Sequence, residues 1–390
     1  MSTIIIGAGP IASSIAASLS TRSPSTKIIM VAPSSPLISS HNDLGRIARS
    51  VDAEGNPIWV ARNHRSLSLY QSIEKRSNIT FFHPVGSLIV GSQEFLEPMI
   101  SSLNAAHIPF TPLSFAALKA RYPSLRLAPH HSGILEENAG YINPLSLIAA
   151  NKQIFADNGG EYVDATVETI TRLSTALEAP SFEVTLDNHQ TLTATRLIVA
   201  AGALTASLLS HLNLSVATPH RISKRTVALV PPSPTSLPHL ANLPVLKYQC
   251  PTASSTGLSA HDAMEASSVY VLPPLPYPDG RTYMKIGGGP NDYLPDTPDP
   301  RAALTEFLSS PGDPELLATL ADALGNGVLD SSIGLDPPIA KTCVTTCSDD
   351  DELVIEEVAA GVFAVCGCQG KGASPGPAIG EEVLDLILGE

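Results

Sequence analysis

Basic residues are scarce in this chain of 390 residues: lysine and arginine total 23 against 37 aspartates and glutamates, for a formal net charge of -14. Such a surface repels phosphate, which argues against nucleic acid or an anionic membrane as a partner. No apolar run reaches the roughly 20 residues of a spanning helix, so no membrane role is expected. The first strand-like residues follow Met1 directly, leaving no place for a basic leader, and Leu388-Gly389-Glu390 is not a peroxisomal signal. A cytoplasmic location is the expectation. There are only five cysteines, and in that compartment structural disulfides are not expected. The spacings Cys343-x3-Cys347 and Cys366-x-Cys368 lie in strand-like sequence without a knuckle, so no metal site is expected.

What is present begins at the N-terminus. The apolar run Thr3-Ile4-Ile5-Ile6 leads into Gly7-Ala8-Gly9-Pro10-Ile11-Ala12, a G-x-G-x-x-A turn followed by a helix-like stretch at 13–19. In such a turn the first glycine permits the bend and the second lets backbone amides approach a pyrophosphate. The small third residue lets the helix pack close to the sheet, and the phosphate rests on the helix N-terminus. A second strand, Lys27–Val31, follows at βαβ spacing, and together these point to a dinucleotide. The acid that ordinarily ends this second strand and binds a ribose hydroxyl is missing. Ala32-Pro33 stands there, leaving Ser34 or Ser35 for that task. The gap suits a tethered cofactor better than a freely exchanging NAD.

The length favours two or more domains. Helical patterns fall at 59–74, 98–106, 114–122, 145–158, 206–212 and 381–388. Strand patterns fall at 86–91, 163–169, 182–186, 191–193, 225–230, 268–272, 282–286, 353–355 and 362–365. A buried-strand run ends in the small-residue turn Ala200-Ala201-Gly202-Ala203, which suits close approach to a cofactor. Of the 34 prolines, the clusters at 231–234, 273–278 and 295–300 read as loops or turns.

Five places, taken in order, resemble the flavin amine oxidases of the D-amino-acid oxidase superfamily, within it the group of monomeric sarcosine, fructosyl-amino-acid and pipecolate oxidases. They are the Gly7 to Ala12 turn, the segment His41-Asn42-Asp43-Leu44-Gly45-Arg46-Ile47-Ala48-Arg49, the turn at Gly202, the strand end Met284-Lys285-Ile286-Gly287, and Cys343 with the tail Gly367-Cys368-Gln369-Gly370-Lys371-Gly372. The likeness spans nearly the whole chain. It implies an α/β fold in which a Rossmann-type FAD-binding domain is assembled from separated segments, at 1–90, 145–218 and 336–390. A substrate domain with a mixed or antiparallel sheet would occupy 91–144 and 219–335. It also implies oxidation of a secondary or N-alkylated, amino-acid-like amine to an imine, with O2 reoxidising the flavin and leaving as H2O2. A small-molecule amine and oxygen would be the partners of a monomer.

The resemblance assigns roles to single residues. Cys343 would join the flavin through sulfur, and Lys285 would lie over the ring and promote electron transfer to oxygen. Arg46 would sit beside the ring with His41, Arg49 would grip the substrate carboxylate with its planar fork, and Tyr270 would line the substrate pocket. Gly7, Gly9, Pro10, Ile11, Ala12, Ser34, Val167, Gly202, Gly370, Lys371 and Gly372 would touch the cofactor. Cys343, Lys285 and the two arginines have a plainer reading beside this one: a small core cysteine, a strand lysine with its head in water, solvated loop arginines. Two positions depart from the family. Its second carboxylate-binding lysine falls at Ser374 and its active-site histidine at Gly289, which implies a roomier, less cationic pocket and a substrate larger than sarcosine. Lys371, three residues earlier in the tail, is the nearby cation that could supply the lost charge, but its aligned position is that of a histidine. Two other readings stand beside this one: a dehydrogenase of the same fold with another electron acceptor, and a dinucleotide-binding protein without catalysis.

Overall fold

β1 (Ser2–Ile6) runs parallel to β2 (Lys27–Val31) on one side and to the strand Arg196–Val199 on the other in the computed structural model, which describes residues 2–35, 38–174, 180–250, 260–297 and 299–389. Between them lies α1 (Pro10–Arg22), whose N-cap, Gly9, is extended and carries no side-chain cap. Gly7 has φ 118°, and a Cβ there would lie 2.4 Å from the carbonyl oxygen of Ala200. Glycine is thus required by the close approach of the two turns that end β1 and its neighbour. Ile4 and Ile6 pack on one face of the sheet with Leu197 and Val199, and Ile5 packs on the other with Ala12, Ile15 and Ile198. Burial on both faces is why these strands read as unbroken apolar runs.

Six strands make this sheet, in the order Val354–Ala359, Val362–Cys366, Arg196–Val199, β1, β2, Glu161–Val163. The chain leaves β1 to one side and re-enters on the other only at Arg196, so a crevice opens beyond the strand ends at this switch point. A nine-stranded sheet stands beside it. There His220–Val230 pairs with Ile339–Ser348, Asp292–Tyr293 and Thr282–Gly288, and the order continues through Ser268–Pro276, Val245–Gln249, Ser87–Gly91, Ser132–Glu136 and Thr111–Leu113. Two segments expected with the dinucleotide, Ser87–Gly91 and Ile339–Ser348, hydrogen-bond into this second sheet. One of its faces buries Leu88, Leu246, Val271, Met284 and Ile286 against Leu320 and Leu324.

Several sequence expectations shift. The prolines at 273–276 lie within the strand Ser268–Pro276, whose register against Thr282–Gly288 shifts between Leu272 and Leu275. A bulge accommodates residues that have no N–H to give the ladder. Pro298, in the expected loop at 295–300, lies outside the described residues. The strand pattern at 163–169 is two strands: Glu161–Val163 edges the parallel sheet, and Val167–Ser174 opens a separate three-stranded sheet. The helix expected at 98–106 is Gln93–Ala105, started by Ser92, whose hydroxyl accepts from the Phe95 N–H. The last helix starts earlier than its apolar pattern, at Gly376, with Pro377 in its first turn. Among the described residues no helix is long and apolar enough to cross a membrane.

Candidate active site

Alternation along the strands decides which side chains leave the core. In Thr282–Gly288, Met284 and Ile286 enter the apolar core, so Lys285 and Gly287 face the other way. The registers Leu272↔Lys285, Tyr270↔Gly287 and Lys247↔Tyr270 bring Leu272, Tyr270 and Lys247 to that same face. On the other flank Leu229 opposes Lys285, so Arg225 and Val227 share the face, as do their partners Cys343 and Lys341. Cys343, Lys341, Arg225, Lys285, Tyr270 and Lys247 all line one cavity of about 1120 Å³. The cavity continues along residues 7–12, 32–35, 165–167, 200–204 and 368–374. A Cβ on Gly287 would lie 2.4 Å from the Tyr270 hydroxyl oxygen, so the glycine is what lets the tyrosine ring cross its strand.

Asp43, which carried no assigned role in the sequence, sits at the centre. Its Oδ2 lies 2.5 Å from Lys285 Nζ and accepts from Arg46 Nη1 at 2.9 Å. Its Oδ1 accepts from the Tyr277 hydroxyl at 2.8 Å and from the Leu44 N–H at 2.8 Å. Lys285 and Asp43 are only 2% and 3% exposed. Burial opposes the charge on Asp43, but Lys285 and Arg46 outweigh it and hold the carboxyl far below the usual range. For Lys285, burial first and the Arg46 charge second bring the ammonium down to about 8, with Asp43 opposing. Asp43→Asn leaves both buried cations without their carboxylate and is expected to cost about 3–5 kcal/mol of stability in urea unfolding. Because folding depresses this carboxyl, the contribution is complete above about pH 4 and fades on acidification. A loss below about 1 kcal/mol, the scale of an exposed pair, contradicts the arrangement.

The remaining expected residues fall around this centre. Arg46 Nη2 also donates to Ser40 O at 2.7 Å and lies 3.8 Å from Cys343 Sγ. Arg49 Nε donates to Val51 O at 3.1 Å, while its Nη1 is buried in the cavity wall with no hydrogen-bond partner. His41 faces Gly9, and burial, with Arg46 and Lys152, lowers its pKa to about 4, so the imidazole is neutral at neutral pH. Gly202, at φ 58°, looks into open space, and Val167 begins its strand at the cavity wall. Ser34 donates its N–H to Asp164 Oδ1 at 2.7 Å, so an acid does reach the end of β2, from a different segment.

Lys371 does not fill the vacancy at Ser374. Its ammonium lies 2.7 Å from Asp52 Oδ1 and also pairs with Glu54, so it is already committed and leaves the place at Ser374 without a cation. Ser374 itself offers its carbonyl to the Tyr70 hydroxyl at 2.7 Å. Sequence reasoning also passed over Lys247, whose Nζ lies 3.1 Å from Glu265 Oε1, and Arg225, whose Nη2 lies 2.8 Å from Glu265 Oε2. The available signal was a lysine set between the apolar residues of a central strand.

The family model described as FAD dependent oxidoreductase, DAO, matches residues 2–386. The chain belongs to this family. A monomeric sarcosine oxidase of Arthrobacter sp. (strain TE1826) is 24% identical over 216 residues, a match that spans 55% of this chain and 54% of that protein. In that alignment the chain spans about half the length of the relative. A monomeric sarcosine oxidase of Streptomyces avermitilis is 25% identical over 394 residues, 99% of this chain and 93% of the relative. The structure of NikD, an unusual amino acid oxidase essential for nikkomycin biosynthesis, has a TM-score of 0.73 at 16% identity, covering 99% of this chain and 93% of NikD. That identity speaks for the fold alone. For the family's cofactor the chain offers an uncapped α1 N-terminus opening into the cavity. Open space at Gly202 and a wall that continues to Lys285 and Cys343 complete the fit of an FAD-binding family member to an elongated dinucleotide.

Proposed function

We propose that this chain oxidises a secondary or N-alkylated amine of amino-acid type to an imine, with dioxygen as the electron acceptor and hydrogen peroxide as the second product. The observation that carries this reading is one sheet face. It presents Lys285, Tyr270 and Cys343 to the cavity that begins at the α1 N-terminus and also contains Arg46 and Arg49. Bound FAD supplies the two-electron redox chemistry. The α1 amides hold the pyrophosphate, Ser34 meets the ribose end, and His41, Arg46, Gly202, Val167 and Gly370 to Gly372 border the rest, with Cys343 as a covalent anchor through sulfur.

Arg49 orients the substrate by its carboxylate, which suits the Nη1 it keeps buried and unpartnered. Tyr270 packs beside the amine. Lys285 keeps a cation in a dry site where negative charge develops on oxygen, with Asp43 and Gly45 O fixing its head. The amine gives up two electrons and two protons, oxygen takes up both, and water then hydrolyses the imine.

With Ser374 on the cavity wall in place of a cation and Lys371 committed elsewhere, the pocket favours amines larger than sarcosine, which gain affinity by burying apolar surface; Gly289, where a Cβ would meet Leu316, lies outside the cavity lining and adds no space. Anaerobic mixing with sarcosine, pipecolate and bulkier N-alkyl amino acids tests this. The visible flavin band is expected to bleach, faster with the larger amines; a panel in which no amine bleaches it contradicts the proposal.

A further inference from the structure

Among the charged groups on the cavity wall that take no part in the reaction as described, Lys247, Arg225 and Glu265 form one cluster. Lys247 is 3% exposed in the middle of the strand Val245–Gln249, and its neighbours Leu246 and Tyr248 enter the apolar core. Arg225 also donates to Asn291 Oδ1 at 3.0 Å and to Pro290 O at 3.2 Å. Lys247 and Arg225 thus share the single carboxylate of Glu265, carried on the helix Ala260–Ser267.

Arg49 adds a third cation to this wall. After burial itself, its charge is among those that disfavour the Lys247 ammonium, and its Nη1 is unpartnered. The acids on its own side are engaged, since Glu136 accepts the N–H groups of Ser50 and Val51 at 2.9 and 3.0 Å and Asp52 pairs with Lys371. A buried guanidinium N–H group that faces a cavity without an acceptor calls for one from outside the chain.

We propose that Lys247 is a second carboxylate-binding residue of the substrate site and that Glu265 competes with the substrate for it. When an acid enters against Arg49, Lys247 turns to it and Arg225 keeps Glu265, so that each carboxylate has a cation. The substrate class is then an amino acid with a free carboxylate rather than its amide. This rests on the amine-oxidising reading, and the test separates the two.

Cyclohexanecarboxylate, which has no amine to oxidise, and its amide are titrated calorimetrically into the holoenzyme and into Lys247→Met and Glu265→Gln. Lys247→Met is expected to weaken carboxylate binding about tenfold to a hundredfold, as for loss of a charge-assisted hydrogen bond. Glu265→Gln is expected to tighten it, and the amide should respond to neither. Opposite signs at two residues that contact each other are not produced by a shared loss of packing. Unchanged carboxylate binding in Lys247→Met, or weaker binding in both variants, overturns the inference. Should Lys247→Met not fold, failure of Glu265→Gln to tighten binding overturns it alone. Bleaching of the unmutated holoenzyme by amines alongside either negative result leaves the oxidase reading standing, whereas absence of any bleaching removes that reading first.

Discussion

Lys285→Met is expected to slow reoxidation of the reduced enzyme by about 10²–10³-fold, the scale of one lost electrostatic stabiliser, while leaving anaerobic reduction by substrate nearly unchanged. Methionine keeps the length and packing of the lysine stem in a position that is only 2% exposed. Asp43 retains Arg46 and Tyr277 as partners, so the local frame survives the loss of the ammonium. The expected effect is therefore one of charge at the face proposed to react with oxygen. Since burial and Arg46 bring Lys285 to about 8, reoxidation by the unmutated protein should fall as the pH rises through that value, and the methionine variant should be slow and flat. Stopped-flow measurement of the two half-reactions checks both points, and equal slowing of both by Lys285→Met contradicts the oxygen role.

Acid precipitation should leave the yellow colour of the unmutated protein in the pellet, and Cys343→Ala should release all of its flavin to the supernatant or lack it from the start. Cys343 stands on the cavity face opposite Arg225, with its sulfur 3.8 Å from Arg46 Nη2 and 3.7 Å from Ser40 O. At the far end of the cavity, Ala32 replaces the ordinary ribose acid and the Ser34 N–H is already given to Asp164. A permanent anchor at the ring would compensate for a weak hold on the adenosine. If acid frees all flavin from the unmutated protein, Cys343 is only a small partly buried residue.

The first βαβ unit was legible because its signals are local: an apolar strand, a turn whose first glycine must admit the Ala200 carbonyl, and a helix spaced to pack on the sheet. Lys285, Tyr270 and Cys343 could be named by resemblance. That they share one face follows only from registers between strands remote in sequence. Asp43 was invisible for the same reason, since Tyr277, Lys285 and Lys341 reach it from far along the chain. That Lys371 is held away from the place at Ser374 was not legible, because its partners, Asp52 and Glu54, lie in a distant loop. The prolines at 273 and 274 suggested a loop because sequence does not reveal a bulge that relieves the ladder of their missing N–H groups.

A product balance tests the proposed oxidase activity most directly. With an N-alkyl or cyclic amino acid larger than sarcosine as substrate, dioxygen uptake, hydrogen peroxide release and imine-derived carbonyl product should rise in equal amounts, and sarcosine should be turned over less efficiently. Amine oxidation that proceeds with an artificial acceptor but without oxygen uptake, or sarcosine turned over at least as efficiently as every larger amine, would contradict it.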